Sequence, residues 1–184
     1  MRLFIPSSFF LLFLALPAWA GKPADPGAVP LDEFDLFPRD KLSVEINLEG
    51  PILRMIATAT SKEDPGFAKL MAGLKAIRVQ VFPIKEEGGA APLGPKIEHV
   101  LRWLEGHGWH SIVRVREKGD QSYIYLKEED GQIVGLTILA IDAEDEAALI
   151  NIVGRIDPAE IGRLGRDLHI PQLQKVQPRT GDKP

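Results

Sequence analysis

Two histidines, His107 and His110, stand three residues apart in the segment HGWH, a spacing that suits metal binding. Imidazole nitrogens placed in this way bind Zn²⁺ or Cu²⁺ when a third ligand comes from elsewhere in the fold. The neighbouring Gly106 and Gly108 instead predict the end of a helix, with Trp109 entering the core and both histidines in solvent. We therefore keep the pair as a weak candidate metal site and otherwise expect no cofactor.

Other arrangements that support catalysis are missing from the sequence. It contains no cysteine, which excludes a thiol nucleophile and a thiolate metal site. Ser111 and Ser122 do not lie in a G-x-S-x-G pattern. The acidic turn 142–146 lacks the alternating ligands and glycine of a calcium loop, and the glycines of 86–94 do not form a phosphate-binding motif. We predict no catalytic residues and a protein that is not an enzyme; the alternative is a small-ligand or metal binder, or a hydrolase, near the two histidines.

Helix starts and alternating apolar runs define the elements that must position any site. Four segments place a proline directly after a capping residue, a pattern typical of a helix N-terminus, and apolar residues at helical spacing follow each one. These starts are at Gly50, Asp64, Gly94 and Asp157. Six runs of alternating apolar and polar residues predict strands over 43–48, 76–82, 111–117, 122–128, 133–142 and 147–156.

The order of these elements predicts an α+β fold. The last four runs follow one another across short turns, which is typical of an antiparallel meander. Helices dominate the first half of the chain and strands the second half. We therefore expect a mainly antiparallel sheet of about six strands, with a C-terminal meander and with helices packed on one face.

Alternation along the strands gives one face of this sheet a cationic and aromatic character. Successive side chains of a strand point to opposite faces, so the face opposite the valines and isoleucines collects arginine and tyrosine. Arginine beside tyrosine binds carboxylates, phosphates or sugars, or packs against a protein partner, and a plain solvated face is the alternative. We call this set the candidate binding face: Arg78, Arg114, Arg116, Tyr123, Tyr125 and Lys127, joined by Gln80, Glu45, Asn47 and Asn151.

The run 133–141 is apolar in both registers. A strand of this kind has both faces covered. The candidates for the second cover are one of the helices, the N-terminal segment around Phe34 and Phe37, or another protein. The sequence leaves these three alternatives open.

The first twenty residues predict export from the cell. Arg2 precedes an apolar run, and the triplet Ala-Trp-Ala that ends at Ala20 is typical of a signal-peptidase site, so we expect cleavage between Ala20 and Gly21. The mature protein is then periplasmic or secreted and has no transmembrane segment. With 26 acidic and 22 basic residues, the chain lacks the basic character expected of a nucleic-acid binder.

Composition divides the chain into four parts. We predict a signal peptide over 1–20, a disordered linker over 21–35, a single α+β domain over 36–170 and a disordered tail over 171–184. The linker and the tail are rich in proline, glycine and charge and have no apolar period.

Four stretches of the predicted domain resemble one bacterial family. The stretches LSVEINLEGPILRM, LKAIRVQVF, WHSIVRVRE and LINIVGRIDPAEIGRL occur in the order typical of domain-of-unknown-function family 4252. The resemblance implies a secreted or envelope α+β protein without established catalytic residues. We therefore hypothesise a non-enzymatic interaction module of the cell envelope, which binds a protein partner or a second copy of itself through the open sheet face.

Overall fold

A six-stranded antiparallel sheet forms the centre of the computed structural model, which describes residues 25–86 and 89–157. The helices are α1 (Leu31–Phe34), α2 (Gly50–Thr60), α3 (Pro65–Gly73) and α4 (Gly94–Gly106), and short 3-10 turns occupy Arg39–Lys41 and Ala91–Leu93. The strands are β1 (Val44–Glu49), β2 (Leu74–Phe82), β3 (Trp109–Glu117), β4 (Asp120–Glu129), β5 (Gln132–Ile141) and β6 (Ala147–Ile156). No helix within the described ranges combines the length and apolar content needed to cross a bilayer.

The strands lie in the order β1-β2-β6-β5-β4-β3, and every neighbouring pair is antiparallel. This confirms the predicted α+β class, the six strands and the C-terminal meander. Helices α2, α3 and α4 also begin where the proline signals predict. At α3 the carboxylate of Asp64 accepts a hydrogen bond from the amide of Phe67 at 2.9 Å, as an N-cap does. The fourth predicted helix, after Asp157, lies outside the described residues.

Helices cover both faces of the sheet, so the prediction of helices on one face is wrong. On one face Leu53 of α2 and Met71 of α3 belong to the same buried hydrophobic cluster as Ile138 of β5. On the other face Leu104 of α4 belongs to a second cluster together with Leu139, the next residue of β5. Strand β5 is apolar in both registers because each of its faces belongs to a different core.

The N-terminal segment completes the second core and is not a disordered linker from residue 25 onward. We call residues 25–37 the strap, because they lie over the sheet beside α4. Val29, Leu31 and Phe34 are buried there, and the ring of Phe37 stacks on Phe82 with centroids 5.4 Å apart. The prediction placed the boundary at residue 36 because the segment contains prolines and lacks an apolar period, whereas its order comes from contacts with distant residues.

Asn151, at the centre of β6, fixes the strap to the sheet. It is fully buried and accepts a hydrogen bond from the amide of Val29 at 3.1 Å. Its side-chain nitrogen donates to the carbonyl oxygen of Gly27 and to the hydroxyl of Thr137, both at 3.1 Å. A Cβ on Gly27 would lie 1.9 Å from the carbonyl oxygen of Val134, so only glycine permits this close approach. The NIVG stretch therefore serves the fold.

Candidate functional site

The residues of the candidate binding face share one side of the sheet but lie in two different environments. Arg114, Arg116, Tyr123 and Tyr125 share one face of β3 and β4, as strand alternation predicts. That half of the face lies under α4. The other half, on β1 and β2, contains Arg78 and borders the strap.

The covered half is a network of hydrogen bonds between the sheet and α4. Tyr125 is only 1% exposed, and its hydroxyl accepts a hydrogen bond from Arg114 Nη2 at 2.8 Å while donating one to Glu105 Oε1 at 3.0 Å. Arg114 Nη2 also lies 2.8 Å from the same Glu105 oxygen. Burial raises the pKa of Tyr125 above its ordinary value; the hydrogen bond from Arg114 opposes this rise and the one to Glu105 adds to it. The phenol is therefore held in its neutral form.

A second network of the same design stands beside the first. Arg116 Nε donates to the hydroxyl of Tyr123 at 2.7 Å, and Arg116 Nη2 lies 3.1 Å from Glu98 Oε1 on α4. Tyr123 is fully buried and donates to Gln121 Oε1 at 2.7 Å. The two tyrosines do not lie on an open face as predicted, because α4 covers both rings and its glutamates pair with the two arginines. This half holds α4 on the sheet and presents no open aromatic surface.

Lys127 and His107 also have structural partners. Lys127 Nζ donates to the carbonyl oxygen of His107 at 2.6 Å. The ring of His107 stacks on Trp103 at 3.9 Å, and its Nδ1 lies 2.7 Å from the Trp103 carbonyl oxygen. Trp109 enters the core, so His110 points to the opposite face of β3. The structure does not bring the two histidines together, and no three potential histidine, aspartate or glutamate ligands cluster within the part of the chain that it describes.

The open half of the face forms a polar cleft between β1, β2 and the strap. Its volume is about 300 Å³. We use the name polar cleft for the site formed by the side chains of Asp32, Arg39, Glu45, Asn47, Arg78 and Gln80.

Strand pairing places four of these side chains in a compact array. Glu45 of β1 lies opposite Gln80 of β2, and Asn47 lies opposite Arg78. All four point to the strap side of the sheet, since residues two apart on a strand share a face. The strap supplies the rim, where Asp32 forms an ion pair with Arg39. The hydrogen bond that Arg39 donates to the Asp32 carboxylate is the largest cause of the raised pKa of Arg39, and the charge of Glu45 contributes less.

Gln80 is the unusual residue of the cleft. The residue is 8% exposed, yet its side-chain amide makes no hydrogen bond with any protein group in residues 25–86 and 89–157. Leaving a buried polar group of this kind without a partner costs about 1–3 kcal/mol. Arg78, on the same face two residues earlier, likewise forms no ion pair or hydrogen bond through its side chain with the described chain. Donors and acceptors that the fold does not use therefore converge here.

Strand alternation places four residues of the cleft on one face of the sheet, but it does not predict the cleft itself. These residues are Glu45, Asn47, Arg78 and Gln80. The missing wall consists of the strap, which supplies Asp32, and the 3-10 turn that follows it, which supplies Arg39. The available signal was the set of apolar residues Leu31, Phe34 and Phe37, whose burial makes the segment part of the domain.

A larger cleft, of about 680 Å³, lies between α3 and the ends of β5 and β6. Its lining includes Leu70, Gln132 and Ile133. It borders Asp157, where the described chain ends, and we assign it no role.

Comparisons with known proteins give the family of the chain. The family Domain of unknown function (DUF4252) matches residues 38–164. None of the curated proteins matches the chain. Among solved structures, the crystal structure of PA94, a protein of unknown function from Pseudomonas aeruginosa, is 13% identical, with a TM-score of 0.32, over 59% of this chain and 76% of that one. Because the family match spans most of the described sheet and of helices α2 to α4, the chain is a member of DUF4252.

Proposed function

We propose that the protein is exported and acts as a non-enzymatic binding module, with the polar cleft as the site of a small polar ligand. The observation that carries this proposal is the buried amide of Gln80, which lacks a protein partner within the described residues. Proteins seldom keep such a group unless it serves a purpose beyond folding. A ligand that hydrogen-bonds to Gln80 and Arg78 would satisfy both side chains.

Binding fits the composition of the cleft better than catalysis does. The described residues that line it include no histidine, serine or lysine, and its amides and guanidinium groups are suited to holding and orienting a ligand. Its volume of about 300 Å³ is at the lower end of the range for small-molecule sites. An interaction through exposed tyrosines, the form that the sequence suggested, loses its basis because Tyr123 and Tyr125 are buried.

The location of the protein outside the cytoplasm is part of the same proposal. The N-terminal charge, apolar run and Ala-Trp-Ala triplet support cleavage between Ala20 and Gly21 and release into the periplasm or the medium. Intact-mass measurement on the protein purified from the envelope fraction of its host tests this: the expected mass begins at Gly21, and a mass that retains Met1 to Ala20 contradicts it.

A thermal-unfolding screen of the mature protein against small polar metabolites tests the binding site. A true ligand raises the unfolding midpoint because it binds the folded state alone. Arg78→Ala and Gln80→Leu should each abolish that rise, whereas Arg102→Ala, which removes an exposed arginine of α4, should retain it.

Gln80→Leu also separates a ligand residue from a structural one. Without ligand, this variant should be at least as stable as the wild type, because it removes an unsatisfied buried amide. The proposal fails if no compound raises the midpoint, or if the rise persists in both cleft variants.

A further inference from the structure

We infer that the ligand of the polar cleft is a small amino-carboxylate, a compound that carries one ammonium and one carboxylate group. This inference rests on the proposed function and adds the chemical class of the ligand. It follows from the signs and positions of the charges in the cleft.

Two of the four charged side chains of the cleft form an ion pair with each other, and the other two form none within the described residues. Asp32 and Arg39 satisfy each other at the rim. Glu45 and Arg78 form no ion pair with any residue of the described ranges, although Glu45 lies close enough to Arg39 to influence its pKa. One negative and one positive group therefore remain available to a ligand.

Glu45 and Arg78, the two available charges, belong to neighbouring cross-strand residue pairs of β1 and β2, and each such pair forms one row of the sheet. Glu45 pairs with Gln80, and Arg78 pairs with Asn47, the residue two positions after Glu45 on β1. Rows of this kind are roughly 7 Å apart along the strands. A ligand carboxylate on Arg78 and a ligand ammonium on Glu45 would lie on one polar surface, and the amides of Asn47 and Gln80 offer hydrogen bonds beside them.

Ligands with a single charge match this surface less well. Phosphate or a simple carboxylate would pair with Arg78 but would be repelled by Glu45, and a neutral sugar would leave both charges without a partner. Burying a charge without a partner is costly, so a ligand that supplies both signs is favoured. The small volume and polar lining of the cleft select a compact compound without a long apolar side chain.

Isothermal titration calorimetry of the mature protein with matched probes tests the inference. L-serine carries both groups, glycerate replaces the ammonium with a hydroxyl, and ethanolamine lacks the carboxylate. We expect serine to bind and each analogue to bind at least about tenfold more weakly, since each loses one charge-assisted contact. Inorganic phosphate serves as the probe for a plain anion site.

Two variants assign the ligand groups to the protein groups. Arg78→Ala should weaken serine and glycerate together, whereas Glu45→Gln should weaken serine at least about tenfold and leave glycerate unchanged or bound more tightly. Arg102→Ala should leave all affinities unchanged. Unfolding midpoints measured for each variant show that it is folded.

The outcomes distinguish the two proposals. If glycerate or phosphate binds as tightly as serine, or if Glu45→Gln does not affect serine, the cleft is a ligand site of another class and only this inference fails. If screened compounds bind through Arg78 and serine does not, the amino-carboxylate inference fails and the proposed function stands. If nothing binds in an Arg78-dependent manner, the proposed function fails with it.

Discussion

The side-chain oxygen of Asn151 accepts a hydrogen bond from the backbone amide of Val29 at 3.1 Å, across 122 residues of sequence. This contact joins β6, the last strand in chain order, to the strap that forms the rim of the polar cleft. Asn151, the polar residue of the NIVG stretch, is therefore a clamp. It acts on the cleft by positioning the strap.

Asn151→Ala should lower the free energy of unfolding by about 1–3 kcal/mol, because the substitution leaves the Val29 amide and the Gly27 carbonyl buried without their partner. Denaturant unfolding measures the loss, and limited proteolysis should show new cleavage within residues 25–37. Ser43→Ala is the control, since it removes an exposed hydrogen bond to Val81. Equal losses in the two variants would show that Asn151 is not a clamp.

Gly154→Ala should destabilise the protein by at least about 2 kcal/mol. Gly154 has φ +132°, and a Cβ there would lie 2.6 Å from the carbonyl oxygen of Gly73 and from the Cα of Leu74. Gly94→Ala, at the first residue of α4, is the matched control because its Cβ would meet nothing within 4 Å. Thermal and denaturant unfolding should show a cost at Gly154 and little change at Gly94; similar behaviour of both variants would contradict the close packing of β2 on β6.

Stability should depend on Tyr125 in alkaline solution. The pKa of Tyr125 is raised in the folded state, chiefly by burial, so the folded protein retains the phenolic proton after the unfolded chain begins to lose it near pH 10. The contribution of Tyr125 is complete below about pH 10 and is lost as the pH rises through the folded-state pKa. Tyr125→Phe should cost about 1 kcal/mol at pH 8, and its difference from the wild type should narrow above about pH 10. A difference that stays constant over this range, followed by denaturant unfolding, would refute the raised pKa.

Asp64→Ala should lower the free energy of unfolding by about 1 kcal/mol, the usual cost of losing an N-cap. The Asp64 carboxylate accepts the Phe67 amide at 2.9 Å, whereas the Glu49 side chain makes no capping hydrogen bond at the start of α2. Glu49→Ala is therefore the control and should change stability little. If the two variants unfold at the same denaturant concentration, the cap at α3 contributes nothing.

Which segments form helices and which form strands was predictable, because the sequence patterns that indicate them are local. The proline after Gly50, Asp64 and Gly94 sets the start of a helix within a single turn, and β6 occupies the predicted range 147–156. Strand alternation also placed Arg114 and Tyr125 on one face, because the period of two is a property of the backbone. The family resemblance rests on the same local stretches.

What covers each face was decided by the tertiary structure alone. The same alternation that grouped Arg114 with Tyr125 cannot show that α4 lies over them and supplies Glu105, since that contact depends on the path of the chain between elements. The strap is the clearest case: its proline-containing sequence has no apolar period, and its order comes from Asn151 and from burial of Val29 and Phe34. The polar cleft exists because the strap lies over the sheet beside α4 and borders β1 and β2, a relationship between segments that no local pattern encodes.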